Sequence, residues 1–157
     1  MGFLTSTRDF TYEAVIKAPQ QKVVSFIQKP DSLPRQSPLF VSLTPDASAT
    51  EQNWFIITER VPIAGPIETK TTFRARLVPV PNGLDSDVEA SLGVKLKAHY
   101  TVEKKGENES VLKEFTTMEA SSLLIGFTFP TMADAHKAVI DGVAAKAAQG
   151  GLDDRDF

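Results

Sequence analysis

Residues 123 to 148 set the terms for everything that precedes them. The stretch reads Leu-Leu-Ile-Gly-Phe-Thr-Phe-Pro, then Thr-Met-Ala-Asp-Ala-His-Lys-Ala-Val-Ile-Asp-Gly-Val-Ala-Ala-Lys-Ala-Ala. After Pro130 the apolar positions Met132, Ala135, Val139, Ile140, Val143 and Ala147 recur at helical spacing, with Asp134, Lys137 and Asp141 on the opposite face. Gly150 and Gly151 supply the left-handed backbone that closes such a helix. Nearly all of the remaining chain alternates as antiparallel strand. A sheet with one apolar face needs a cover, and no other helical stretch is long enough to provide one.

The strands follow from period-two patterning. Phe10, Tyr12, Ala14 and Ile16 alternate with polar residues in a first strand over 8–17. Pro19 opens a short helix with Val23, Val24, Phe26 and Ile27 on its apolar side, and Pro30 stops it. Asp31 to Pro34 restarts a brief helical turn. Strands are then expected over 39–44, 54–61, 69–78, 84–90, 94–103 and 110–119, with Pro81-Asn82-Gly83 a tight-turn signal. The inward face of the seventh strand is ambiguous, because Thr116 and Met118 compete with Phe115 and Thr117. The acidic arm of the fifth strand (Asp85, Asp87, Glu89) and the basic arm of the sixth (Lys95, Lys97, His99) share one solvent side.

Composition removes several function classes. The chain of 157 residues is one domain, with residues 152–157 expected as a short disordered tail. A net charge of −3 argues against a nucleic-acid binder, which needs concentrated Lys and Arg. The absence of cysteine removes disulfides and thiolate chemistry, and fits a cytoplasmic location. No secretory signal or membrane span is visible, so stable membrane insertion is not expected. Met1-Gly2 with Ser6 matches a myristoylation pattern loosely, but the bulky Phe3 and the lack of a basic cluster argue against it. Asn108-Glu109-Ser110 is a glycosylation sequon, read here as a polar turn.

The order strand, two short helices, six strands, long helix resembles the helix-grip fold of the START-like (SRPBCC) superfamily. That superfamily includes plant pathogenesis-related and pollen-allergen proteins, lipid-transfer domains and polyketide cyclase/dehydratase-like proteins. The similarity spans about Thr7 to Ala148. Arg60-Val61-Pro62 with Gly65-Pro66, Asn82-Gly83-Leu84-Asp85-Ser86, Glu89-Ala90-Ser91-Leu92-Gly93-Val94 and Ala135-His136-Lys137 resemble segments of small fungal members. The resemblance implies an α+β domain in which a seven-stranded antiparallel curved sheet grips the C-terminal helix. It also implies a cavity between the two, used for hydrophobic ligands, and a place in secondary metabolism. The superfamily has no universal catalytic residue, so none is carried over.

The turns add a reading from the residues themselves. Successive turns of a meander alternate between its two ends. Those after the second, fourth and sixth strands are polar. Those after the third, fifth and seventh read Pro62 to Ile67, Ser91-Leu92-Gly93 and Ser121 to Phe127, apolar and glycine-bearing. They are either the lips of a cavity mouth or loops folded onto the core.

His136 lies in the apolar stripe between Met132 and Ile140 and should face the sheet. It is either a general acid/base in the cavity or a core histidine satisfied by a strand partner. Tyr100 and Glu59 are the candidates to orient a ligand beside it; Glu114 is the other possible inward acid. Phe10, Tyr12, Phe73, Val88, Met132, Val139 and Ile140 are the expected cavity lining. The second histidine, His99, alternates outward and no ligand spacing appears, so no metal or other cofactor is expected. Pro130 should kink or restart the helix, with Thr131 and Asp134 as a capping pair and Leu123 to Phe129 as a lid. The partner is expected to be a hydrophobic small molecule. Two readings stay open: a catalyst of cyclisation, dehydration or isomerisation of a polyketide- or terpenoid-like metabolite, and a non-enzymatic carrier of a lipid or hydrophobic metabolite.

Overall fold

The structure is a computed structural model that describes residues 4–153. Its elements are β1 (Thr5–Ile16), α1 (Gln20–Ile27), a 3-10 turn (Pro34–Gln36), β2 (Phe40–Pro45), β3 (Trp54–Ala64), β4 (Ile67–Val80), β5 (Gly83–Glu89), a second 3-10 turn (Ser91–Gly93), β6 (Lys95–Lys104), β7 (Ser110–Ser121), α2 (Ile125–Ala148) and a third 3-10 turn (Gly151–Asp153). The seven strands form one antiparallel sheet in the order β1-β7-β6-β5-β4-β3-β2. The α+β helix-grip architecture expected from the patterning is the one observed. The helical section after β1 contains one α-helix and a single 3-10 turn.

Alternation decides which side chains meet α2. Along β6, Leu96, Ala98, Tyr100 and Val102 are buried while Lys95, Lys97, His99 and Thr101 are exposed. Along β7, Leu112, Glu114, Thr116, Met118 and Ala120 are buried and Phe115 is exposed, which resolves the ambiguous strand. On the outer face Asp85, Asp87 and Glu89 stand directly opposite His99, Lys97 and Lys95. The first pair closes at 2.8 Å. Such exposed cross-strand pairs contribute roughly 0.2–1 kcal/mol each.

Two glycines permit close approaches that place the elements. A Cβ at Gly83 would lie 2.1 Å from the Tyr100 carbonyl oxygen, so only glycine lets β5 start beside Tyr100. A Cβ at Gly142 would come within 3.0 Å of Gln36 Cβ, so this mid-helix glycine seats α2 on the first 3-10 turn.

Four sequence expectations are corrected. The helix does not restart after Pro130: α2 is continuous from Ile125, with Pro130 inside it. Thr131 is no cap, since its hydroxyl donates to the Phe127 carbonyl at 3.3 Å within the helix. The segment expected as a separate lid is therefore mostly the first turns of α2, held down by the buried Ile125. Pro130 is the sixth residue of α2, past the donors a helix start leaves free, so it removes one helical hydrogen bond, the one to the Gly126 carbonyl, and the helix continues around it. Leu152, expected to begin a loose tail, is buried among the core residues; residues 154–157 lie outside the described residues.

The interior divides in two. A larger cluster is built around Ile16, Val23, Phe26, Ile27, Leu112, Ile140 and Val143. A smaller one joins Phe10, Leu96, Met118, Ala120, Ile125 and Met132. Between them on β7 lie two buried polar residues, Glu114 and Thr116.

Candidate functional site

The site grows from that polar seam. Glu114 faces Tyr12 on β1 and Tyr100 on β6 in direct register. A buried carboxylate is costly unless paired, and α2 supplies the pair: His136 Nδ1 contacts Glu114 Oε2. The Glu114 side chain is 0% exposed and that of His136 is 21% exposed, so the imidazole connects a buried acid to the surface. The Thr116 hydroxyl donates to the same oxygen at 2.5 Å. The Phe10 ring meets His136 edge-on, with centroids 6.3 Å apart. Glu114 Oε1 has no hydrogen-bond partner.

Two further residues feel this pair. Burial pushes the Tyr100 phenol well above its ordinary range, and the charge and hydrogen-bonding of Glu114 add to the push. Burial also raises the Glu59 carboxyl, and the charge of His136 partly opposes this. Glu59 thus lies within electrostatic reach of His136 but forms no ion pair with it. The three candidates His136, Tyr100 and Glu59 share one electrostatic neighbourhood. The residue that organises it is Glu114, which sequence reasoning placed only as an alternative acid. Reading Leu112, Met118 and Ala120 as apolar anchors of one i, i+2 face would have turned Glu114 inward.

The expected lining separates into two groups. Phe10, Met132, Val139 and Tyr100 are less than a tenth exposed and Ile140 is fully buried; these pack as core. Phe73, Val88 and Tyr12 are half-buried. The Tyr12 hydroxyl donates to Asp141 Oδ1 of α2 at 2.7 Å, which raises the phenol. A depression of about 530 Å³ lies on the outer face of the sheet, over Phe115, His99 and Lys113; a smaller space of about 80 Å³ lies beside Pro19 and Ala147. Neither is the closed cavity expected beneath the helix. The helix rests mainly on β1, and also meets the 3-10 turns Pro34–Gln36 and Gly151–Asp153 and β7. Phe55, Glu59, Thr71, Phe73 and Val88 on the inner face of β3–β5 are all half-buried. His136 and Phe129 of α2 are half-buried as well, and Val88 and Phe129 both pack against the smaller cluster.

One end of the molecule carries exposed apolar tips: Leu4, Ile67, Leu92, Leu123 and Phe127. Leu92 holds a left-handed backbone, φ 61°, which a branched side chain adopts only at a cost. Turns at the opposite end carry no exposed large apolar side chain among the described residues. Pro62 and Ile63 belong to the β3–β4 hairpin, but their side chains lie outside the described residues. Among the described residues, no three His, Asp or Glu side chains gather as metal ligands, and no helix is long and apolar enough to cross a membrane.

The fold recurs among solved structures. A point mutant of norcoclaurine synthase from Thalictrum flavum, in complex with a transition-state analogue, superposes with a TM-score of 0.69 at 17% identity, covering 95% of this chain and 99% of that one. The same enzyme in complex with dopamine and hydroxybenzaldehyde gives 0.68 at 18% identity, with coverage of 92% and 88%. The aromatase/cyclase Zhui from Streptomyces sp. R1128 gives 0.68 at 11% identity, with coverage of 92% and 95%. No curated protein sequence matches. These likenesses establish a shared helix-grip fold. A family model described as domain of unknown function DUF7053 matches residues 16–149, and the chain belongs to that family.

Proposed function

We propose that the protein binds a hydrophobic small molecule, polyketide- or terpenoid-like in its apolar skeleton, between the half-buried inner face of β3–β5 and α2. We further propose that it promotes cyclisation, dehydration or isomerisation of that molecule by proton transfer at His136. The observation that carries this reading is the His136–Glu114 pair. A buried acid takes Nδ1, which fixes the orientation of the ring, while Nε2 has no hydrogen-bond partner among the described residues. That leaves one nitrogen to exchange a proton with a ligand. Tyr100 and Glu59 act as orienting groups, and the half-buried Phe55, Phe73 and Val88 hold the apolar body. Two solved structures of the same fold support the reading, one an aromatase/cyclase and one a norcoclaurine synthase holding dopamine and hydroxybenzaldehyde.

The exposed tips Ile67, Leu92, Leu123 and Phe127 favour a second reading, a carrier that admits an apolar ligand past an apolar rim. Ligands retained through purification, identified by mass spectrometry, supply the substrate for the test. In His136→Gln, turnover falls by roughly 10²–10⁴-fold if the histidine is a general acid or base. Unchanged chemistry with intact binding would leave the carrier reading.

A further inference from the structure

One end of the fold is free of charge. The β3–β4 hairpin, the β5–β6 turn and the β7–α2 loop meet there, beside the start of β1. Residues 61–67, 90–94 and 120–133 contain no Asp, Glu, Lys or Arg. The first stretch is bounded by Arg60 and Glu68, the second by Glu89 and Lys95, the third by Glu119 and Asp134. At the other end, the loop over 46–53 contains Asp46 and Glu51, and the loop over 105–109 contains Lys105, Glu107 and Glu109. A helix face that meets only water is ordinarily charged or polar. The first turns of α2 instead expose Leu123, Phe127, Pro130 and Thr131, and no charged group.

Leu4, Leu92, Leu123 and Phe127 are each more than three-quarters exposed, and Ile67 is 60% exposed. The other exposed large apolar side chains among the described residues, Val15 and Phe115, lie on the outer face of the sheet at 40% and 44%. Leu92 is strained as well. Glycine or asparagine takes its left-handed backbone more readily, and its own side chain adds little to the core. What that cost maintains is an apolar side chain standing in solvent.

We propose that this end docks on the surface of a lipid bilayer, with the five tips entering the headgroup region. The tips come from four separate segments of the chain, with Gly65, Ser91, Gly93 and Ser122 exposed beside them. A fluid lipid layer closes around separate points, whereas a protein partner needs a matching pocket for each. Behind the tips stands a belt of charge: the six bounding residues, Arg8 of β1, and Lys70, which lies directly opposite Arg60. Four of the eight are basic and four acidic. A belt of both signs matches zwitterionic headgroups and gives no net pull toward an anionic surface. The contact is peripheral, at the depth of about 5–10 Å that interfacial segments reach. The proton-transfer reading concerns the inner face of the sheet and does not depend on this one.

The test is co-flotation of the full chain with phosphatidylcholine vesicles at pH 7, with and without phosphatidylserine, at low and high salt. The expected result is binding to phosphatidylcholine alone, changed by salt less than about threefold. Leu92→Asn with Phe127→Ser should weaken partitioning by about tenfold or more, since each removes an exposed apolar side chain. Phe115→Ser, on the outer face, should leave it unchanged. Leu92→Asn should melt no lower than the unsubstituted chain, because asparagine fits the left-handed backbone; lost binding is then not lost fold. No binding to phosphatidylcholine overturns the proposal, and so does binding that requires phosphatidylserine and collapses in salt. Partitioning unchanged in the double variant overturns it too. A dimer that dissociates in the double variant, seen by sedimentation velocity without vesicle binding, makes this end an interface between copies and overturns the membrane assignment. Should the double variant fail to fold, Leu92→Asn alone decides, by a loss of about threefold or more.

Discussion

Replacing His136 by alanine should expose what the buried pair contributes. The change strips the ion-pair partner from a carboxylate with no exposure of its own. Removing one member of a fully buried pair typically costs about 3–5 kcal/mol. Here the Thr116 hydroxyl still donates to Oε2, and the His136 site is 21% exposed, so water reaches the vacancy. Those two effects lower the expected cost to about 2–4 kcal/mol, judged against that range. In a chain of this size each kcal/mol moves Tm by about 2–4 °C, so the variant should melt about 4–16 °C lower. Glu114→Gln removes the charge that needs a partner. Adding it to His136→Ala should therefore recover part of the loss, with a coupling of at least about 1.5 kcal/mol. Urea unfolding of the four proteins at pH 7, followed by the fluorescence of the single tryptophan, Trp54, gives the complete cycle. Free energies that add to within about 0.5 kcal/mol would refute the pair as an energetic unit, and with it the orienting role of Glu114.

Other substitutions test other parts of the structure. Gly83→Ala places a methyl carbon 2.1 Å from the Tyr100 carbonyl oxygen, a clash with backbone that no rotamer relieves. It should destabilise by at least about 1–3 kcal/mol in urea melts, and an unchanged midpoint would count against this strand register. Ile140→Ala empties a fully buried site and should cost about 2–5 kcal/mol; a near-neutral result would mean α2 is not close-packed there. Glu59 is held above the ordinary carboxylate range by burial, with His136 partly opposing. A carboxyl that binds its proton more readily when folded contributes stability at low pH and loses it as pH rises through the raised value. Glu59→Gln should thus raise the urea midpoint near pH 7 and leave it unchanged in acid; equal destabilisation at both would refute the assignment.

The fold was legible because its signals are local. Phe10 to Ile16 and Leu96 to Val102 alternate so cleanly that their inward faces need no structure. The site was legible only in part. His136 could be placed from helical spacing, but its partner could not, because β7 breaks the apolar pattern twice. It turns the aromatic Phe115 outward and the acidic Glu114 inward. Pairing across 22 positions also depends on how far along β7 the helix lies, which no periodicity encodes. The cavity between sheet and helix was expected from the resemblance to the helix-grip fold, yet side chains that face one another can fill the space between them, as Ile140 and Val139 do. Which strands α2 settles on, β1 above all, is likewise a long-range matter that no local pattern encodes.

The strand order fixes an order of events in folding. Strands β3 to β7 form a meander whose neighbours are neighbours in sequence, and each hairpin can close as soon as its two strands exist. β1 cannot. Its partner is β7, and Ser6 and Ser122, hydrogen-bonded at 2.7 Å, are 116 positions apart. The loop that this ladder closes spans nearly the whole domain, so its entropy is lost in one step near the end of folding. As the chain leaves the ribosome, β1 is the first of the seven strands to emerge and the last to find its place. Its row of Phe10, Tyr12, Ala14 and Ile16 waits unpaired while the meander is made, and β7 then offers a bare edge until β1 arrives. A nascent chain stalled before Ser121 would present both surfaces at once, and an unpaired apolar strand beside an open sheet edge is the arrangement from which aggregation starts.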